Sequence, residues 1–479
     1  MVYADLHQYL QALEDRDLLR RIRVEVDPEW EIAAVSRVAF RRFPPDTRPA
    51  LLFEKVKGKE MPVVVGAVGA SSAVYATALG ISPDNPLQEV SELWARAIDN
   101  PLPTVRVESG PCKDVILGQE ELDIFRLPHP MWTPEHDPGY FITAPLVITK
   151  DPETGAQNVG TYRMQLRERA KTSIQIGSSH HGMRHVRKHE ALGMDTPVAV
   201  VIGADPTVAL VSATSIPFGV EELAVAGALR GAPLEVVRCE TVDLEVPATA
   251  EIVIEGVIPA GVRQDEGPFG EHPGYMGNPV EDQPVVRIQC MTHRKDAIYQ
   301  AFLSQKPPSE SSRLRSIGRE SSIYSHLKKY LGMDVVDVHL RESGGASHYL
   351  IISLRNPKPG EAWEAVWGAW SLLPNYCKFT IVVDEDINIR DPFEVEWAMS
   401  FRVTPDKDIH IVRNVPALGS DPSVAPWGVP KNQRKISSKV LIDATKKHLF
   451  PPEALPSKKH LQLVEQDWER YGLSMGHMG

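Results

Sequence analysis

Two glutamates, Glu266 and Glu271, stand five residues apart in Glu266-Gly-Pro-Phe-Gly-Glu271-His-Pro-Gly-Tyr275, a stretch with three glycines and two prolines. On a regular strand, residues an odd number apart face opposite ways. Glycine allows a backbone with positive φ and proline stiffens a turn, so a loop of this composition can aim both carboxylates into one space. Two acids sharing a site can titrate apart, one staying ionised while the other carries a proton. The same residues also make an ordinary surface turn with solvated acids.

Other groups along the chain could act with them. Asn158-Val-Gly-Thr-Tyr-Arg163 supplies an amide oxygen and a guanidinium. Ser212-Ala-Thr-Ser-Ile-Pro-Phe-Gly-Val-Glu-Glu222 supplies hydroxyls and a carboxylate ahead of an apolar helical stretch. Lys439 is a further cation in Ser437-Ser-Lys-Val-Leu-Ile-Asp443. An Asn, His and Glu oxygen/nitrogen set suits Mn²⁺ or Mg²⁺, and cations with hydroxyls suit a phosphate. Each group alone has a structural reading as turn, cap or ion pair. His181, His185 and His189 recur at i, i+4 and i+8, a zinc-like stripe on one helix face. Arg184, Arg187 and Lys188 are interleaved with it, which favours a solvated basic helix, or one meeting an anion, for His185 and His189.

The elements that must position these groups fall into three blocks. Leucines near helical spacing predict a helix over residues 5–20, then a strand at 22–26, a helix at 32–40, strands at 51–56 and 62–68, and a helix at 87–99. From residue 115 short β-rich runs dominate: 144–149, 196–203, 208–211, 234–237, 250–257 and 285–291, with helices at 180–192 and 220–230. This predicts a mostly antiparallel barrel or sandwich. Residues 126–140, rich in proline, predict an ordered loop. Beyond Pro307-Pro308 a long helix (311–331) precedes βα alternation: strands at 346–354, 379–383 and 409–412, helices at 362–373 and 394–401. That pattern predicts a mostly parallel sheet with covering helices. Asp384-Glu-Asp386 follows a strand end, where α/β folds place functional groups, but it reads equally as an acidic turn.

The 479 residues allow about three domains. Apolar content of 42% supports sizeable cores, and a net charge of −11 argues against nucleic acid or an anionic membrane as partner. Four dispersed cysteines without a CxxC fit a reducing cytoplasm better than a disulfide framework. The acidic amphipathic N-terminus does not read as a signal peptide, and the most apolar run, 197–213, is broken by Asp205 and Pro206 and too short to span a bilayer. The chain has no GxGxxG after a strand, no GxxxxGK[ST], no HExxH and no GxSxG, so the usual nucleotide, metalloprotease and nucleophile-elbow signatures are missing.

Read in order, NVGTYR, the His180-His181 pair, PFGVEELAVAGALRG, EIVIEG, EGPFGEHPGY, DAIYQAFLSQKPPSE, VDEDINIRDPFEVEWAMSFR and SSKVLIDAT resemble the UbiD family of reversible decarboxylases, over about residues 5–450. The resemblance implies a fold: an N-terminal α/β domain (1–114) that packs with its neighbour, a central split β-barrel that binds flavin (115–306), and a linker helix with a C-terminal α/β oligomerisation domain (307–479). It implies prenylated FMN as a covalent electron sink, its phosphate held through Mn²⁺, often with K⁺ nearby. It places the metal ligands on Asn158, His181 and Glu222, with His180 the alternative histidine; Glu221 stands where the family usually has Ser. Thr161, Tyr162, Arg163, Ser212, Ala213, Thr214 and Lys439 would contact the flavin ring or phosphate. The catalytic set would be Arg163, Glu266 and Glu271, with Arg163 paired to Glu266 and Glu271 as proton donor.

The implied activity is non-oxidative, reversible loss of CO₂ from an aromatic, heteroaromatic or α,β-unsaturated acid. The implied partners are that acid, CO₂, a flavin prenyltransferase as cofactor supplier, and further copies of the chain as a homodimer or larger homo-oligomer. Rival readings are an oxidoreductase using plain FMN, a non-catalytic subunit of a multi-subunit carboxylase, and a zinc hydrolase built on the histidine stripe.

Overall fold

The computed structural model describes residues 3–85, 87–424, 426–428 and 435–472. The first helix, Leu6–Glu14, starts where the Asp5 carboxylate accepts a hydrogen bond from the Gln8 amide at 2.9 Å. Its buried stripe, Leu6, Tyr9, Leu10 and Leu13, packs onto the sheet formed by Leu19–Val26, Ala50–Val56 and Val63–Val65. That sheet is completed by Tyr299–Ala301, which pairs parallel to Val63–Val65 from far along the chain. All three valines are buried, so the short strand needs a partner on its open side. One hydrophobic core therefore runs from Tyr3 to Leu314 without a break at residue 114.

The centre is a ten-stranded antiparallel sheet curled into a half-barrel. Its main path runs Phe141–Ile142, Met164–Glu168, Lys171–Ile174, Val280–His293, Ile252–Ile258, Thr196–Ile202, Leu146–Lys150, Gln157–Thr161. Strands Arg263–Glu266 and Val115–Leu117 also pair with the long Val280–His293. Gln157–Thr161 ends this path and Met164–Glu168 lies next to its other end, yet only Tyr162 and Arg163 separate them in the chain. Three residue steps reach at most about 10 Å. The sheet must curl to close that gap, and residues 162 and 163 sit in the split.

Two expectations change here. Residues 208–211 are not a strand but part of the helix Pro206–Ser212. Asp205 caps it by accepting from the Thr207 amide at 2.8 Å, and Pro206 occupies its first turn. A short apolar run has no period to tell helix from strand, and here cap chemistry decides. The helix Ser72–Leu79 was not anticipated; it is buried on nearly every side, so it carries no amphipathic signal.

The helix Glu310–Ser325 leaves the half-barrel and ends in a π turn, His326–Tyr330. Beyond it lies a five-stranded sheet in the order Val335–Leu340, Tyr349–Leu354, Phe379–Asp384, Ile436–Asp443, Ile409–Pro416. Its three inner strands are parallel and its two edge strands antiparallel. The acidic turn at 384–386 is a structural ion-pair cluster: buried Arg402 donates to Asp384 at 3.1 Å and to Asp386 at 2.8 and 2.9 Å. All four cysteines are free. Among the described residues no helix is long and apolar enough to cross a membrane.

Glu310 fixes the long helix to the N-terminal sheet. Its fully buried carboxylate accepts from the Gly66 amide at 2.9 Å and the Val68 amide at 3.2 Å, and burial raises its carboxyl to about 7. A Cβ at Gly69 would lie 2.8 Å from the Glu310 carbonyl oxygen, so only glycine allows this approach. Glu310→Ala strands two buried N–H groups at about 1–3 kcal/mol each. The expected result is a thermal midpoint several degrees below wild type, with Glu310→Gln intermediate, as read by calorimetry.

Candidate active site

Arg163 occupies the split with its side chain 12% exposed. Its Nε and Nη2 donate to Glu266 Oε1 and Oε2 at 2.9 and 2.8 Å, a bidentate pair, and its Nη1 donates to Glu271 Oε1 at 3.0 Å. The Glu266 side chain is fully buried and that of Glu271 is 18% exposed. Burial alone would depress the guanidinium's pKa; the charges of Glu271 and Glu266 outweigh it and raise the pKa above its ordinary value. Phe269 lies under Arg163 at 5.2 Å and packs against Phe141.

The loop reaches this arrangement through backbone that only glycine adopts easily. Gly267 has φ +88 and donates its amide to Gln165 Oε1 at 3.0 Å. A Cβ at Gly277 would come within 2.7 Å of Glu271 Cγ, so the glutamate lies directly on that residue. Buried His272 hydrogen bonds to Ser347 Oγ at 3.0 Å and ties the loop to the turn before the strand Tyr349–Leu354.

Beside the trio opens a cavity of about 490 Å³. Asn158, Thr161, Tyr162, His180, His181, Ser212, Ala213, Thr214 and Glu222 all line it. Thr161 and Ser212 share a hydroxyl–hydroxyl bond at 2.8 Å. Glu222 opens the helix Glu222–Arg230, 4% exposed, and accepts from the Val159 amide at 2.8 Å. With the Asn158 amide turned to satisfy both groups, its nitrogen donates to Glu222 Oε1 at 3.2 Å. Burial raises the Glu222 carboxyl to about 7.

The two adjacent histidines differ. His180 stacks on Tyr162 and accepts from the Gly177 amide at Nδ1, whereas His181 begins the helix His181–Ala191 and meets Phe218 edge-on. Burial lowers the pKa of both. His185 and His189 are 3% exposed and sit in the core, with His185 bonded to Thr149 Oγ1 at 3.0 Å and His189 to the His185 carbonyl at 2.9 Å. Neither is solvated, and His185 Nε2 lies 4.0 Å from the Asp151 carboxylate, so this part of the helix meets an anion. Among the described residues no group of three or more His, Cys, Asp or Glu side chains is arranged to hold a metal.

Lys439 is the one predicted site residue that is not brought here. It lies on Ile436–Asp443, 4% exposed, with Nζ 5.1 Å above the Trp370 ring. Burial lowers it to about 8. The pocket also recruits residues that sequence reasoning missed: Ile216, Phe302, Ser311, Leu314 and Arg315. Ser311, Leu314 and Arg315 recur at i, i+3 and i+4 and so share a helix face, a spacing legible in the sequence but uninterpretable until that face has a neighbour.

Comparison with known proteins follows the same outline. Models of the 3-octaprenyl-4-hydroxybenzoate carboxy-lyase N-terminal, Rift-related and C-terminal domains match residues 10–94, 104–307 and 312–444. An uncharacterized protein of Synechocystis sp. is 36% identical, covering 98% of this chain and 96% of its own. The UbiD-class enzyme HmfF of Pelotomaculum thermopropionicum in complex with FMN is 36% identical with a TM-score of 0.86, covering 96% of this chain and 99% of that one. An evolved dimeric form of the same enzyme has been solved with prFMN, at TM-score 0.82, 35% identity and coverage of 97% and 100%. Vanillic acid decarboxylase of Sedimentibacter hydroxybenzoicus in an open form is 31% identical with a TM-score of 0.84, covering 98% and 99%.

The buried trio makes a direct stability prediction. Arg163→Met leaves Glu266 buried without its cation, at about 3–5 kcal/mol. Adding Glu266→Leu removes the stranded charge, so the double variant is expected to recover much of that loss. Equilibrium unfolding of wild type, both single variants and the double variant measures the coupling.

Proposed function

The chain belongs to the UbiD family, and on that premise we propose that it catalyses reversible, non-oxidative decarboxylation of an aromatic, heteroaromatic or α,β-unsaturated carboxylic acid with prenylated FMN. The observation that carries this reading is Arg163 gripping Glu266 and Glu271 beside the cavity lined by Asn158, His181 and Glu222. The pocket suits the cofactor by its donor chemistry. Glu222 is a buried carboxylate whose hydrogen-bond partners are neutral, and a divalent cation would return it to its ionised form. Asn158, His181 and Glu222 would hold Mn²⁺ against the flavin phosphate, with K⁺ alongside. Thr161, Tyr162 and residues 212–214 would line the rest of the cofactor.

When bound, the prenylated flavin supplies the electron sink that loss of CO₂ from an sp² carbon requires and that no side chain provides. The remaining work belongs to the chain. Arg163 spends Nε and Nη2 on Glu266, which anchors the guanidinium. Nη1 donates to Glu271, so the same guanidinium holds both carboxyls in place. Glu271 would deliver a proton to the carbon that has lost CO₂ and take it back in carboxylation. The small exposure of the trio limits water that would otherwise compete as proton source. A separate prenyltransferase would supply the cofactor, and the chain would work as a homodimer or larger homo-oligomer.

Two variants separate chemistry from cofactor binding. Glu271→Gln is expected to lower CO₂ release by about 10²–10⁴-fold while the flavin stays bound. Near-normal turnover would assign the proton to another group. Asn158→Ala and Glu222→Ala are expected to lose metal and flavin together, read by elemental analysis and absorbance after desalting.

A further inference from the structure

Arg315 is a second cation at this pocket, and the decarboxylase reading gives it no task. It lies on Glu310–Ser325 and turns the same face as Ser311 and Leu314 to the cavity. Its Nη1 is buried and has no hydrogen-bond partner. The other arginines nearby are engaged. Arg163 is taken by two carboxylates, Arg313 has the Glu342 carboxylate at 3.8 Å although its Nε is buried without a hydrogen bond, and Arg319 donates to the Ala346 carbonyl at 2.8 Å while lying over Tyr376. Burial, with Arg319 nearby, holds the Arg315 pKa below its ordinary value, and Glu271 is the carboxylate that opposes this. A buried guanidinium nitrogen without a hydrogen bond is expensive, and a ligand anion would satisfy it.

The kind of anion follows from the chemistry. The reacting carboxylate loses its charge as CO₂ departs. A fixed guanidinium fork on it would stabilise the ground state more than the transition state and slow the step. A carboxylate that survives the reaction carries no such penalty, and the planar fork of arginine matches it bidentately. We infer that Arg315 binds a second, non-reacting carboxylate of the substrate, so that the preferred substrates are dicarboxylic acids. This inference rests on the decarboxylase reading.

The test is equilibrium binding to the flavin-loaded protein, by calorimetry, with terephthalate and isophthalate against benzoate. The wild type is expected to bind one of the diacids at least about tenfold more tightly than benzoate, the difference one charge-assisted pair supplies. Arg315→Gln is expected to bring that ratio close to one while the protein keeps its flavin, and Arg315→Lys to restore part of it. Equal affinities in wild type, a parallel loss for all three acids in Arg315→Gln, no binding by any, or release of the flavin from the variant would each overturn the inference. Binding is read without turnover, so its failure leaves the reaction class standing, and a lack of CO₂ release from any acid would strike the reaction class instead.

Discussion

A single buried guanidinium organises this molecule's candidate chemistry. Arg163 cannot leave Glu266 without stranding a fully buried carboxylate, and it cannot hold Glu266 without presenting Nη1 to Glu271. The trio thus behaves as one unit whose members are poor candidates for independent substitution. Its position is set by the backbone. A two-residue link between strands near opposite ends of the sheet path leaves Arg163 little freedom, and glycines at 267 and 277 bring the carboxylate loop close enough to meet it.

The surrounding architecture serves that arrangement from three sides. The half-barrel carries Asn158, Thr161, Tyr162 and Arg163 on or just beyond one strand, so the metal-ligand candidate and the guanidinium are spaced along a single line. Helix ends at Ser212 and Glu222 bring hydroxyls and a carboxylate against that line. The long helix from Glu310, fixed to the N-terminal sheet, closes the cavity with Ser311, Leu314 and Arg315. The His272–Ser347 bond links the carboxylate loop to the turn that leads into the strand Tyr349–Leu354 of the C-terminal sheet.

Periodicity made the amphipathic elements legible. The helix at 87–99 was read to the residue, because one face is apolar and Asn100-Pro101 ends it. What failed did so for identifiable reasons. Ser72–Leu79 and Pro206–Ser212 are buried on nearly every side, so the pattern on which prediction relies is missing. The short strands Gln157–Thr161 and Lys171–Ile174 escaped because curvature and site residues interrupt their alternation. Among site residues, types and spacing were enough to single out Asn158, Arg163, Glu222, Glu266 and Glu271, but not to assemble them, which took the family resemblance. Lys439 was carried over from that resemblance and instead lies against Trp370. Of the two settings read for His185 and His189, solvent or an anion, His185 has the second, 4.0 Å from the Asp151 carboxylate, while His189 is held in the core by the His185 carbonyl. Arg315 escaped notice because an unpaired guanidinium is a property of surroundings and not of sequence.

The proposed function requires this pocket to hold a prenylated flavin on a divalent metal. The most direct test is mass spectrometry of the small molecule released from protein co-expressed with a flavin prenyltransferase, with metal content measured on the same sample. The expected result is the mass of prenylated FMN and one manganese per chain. Unmodified FMN alone would point to redox chemistry at the same site, and bound zinc without any flavin would contradict a prenylated-flavin site outright.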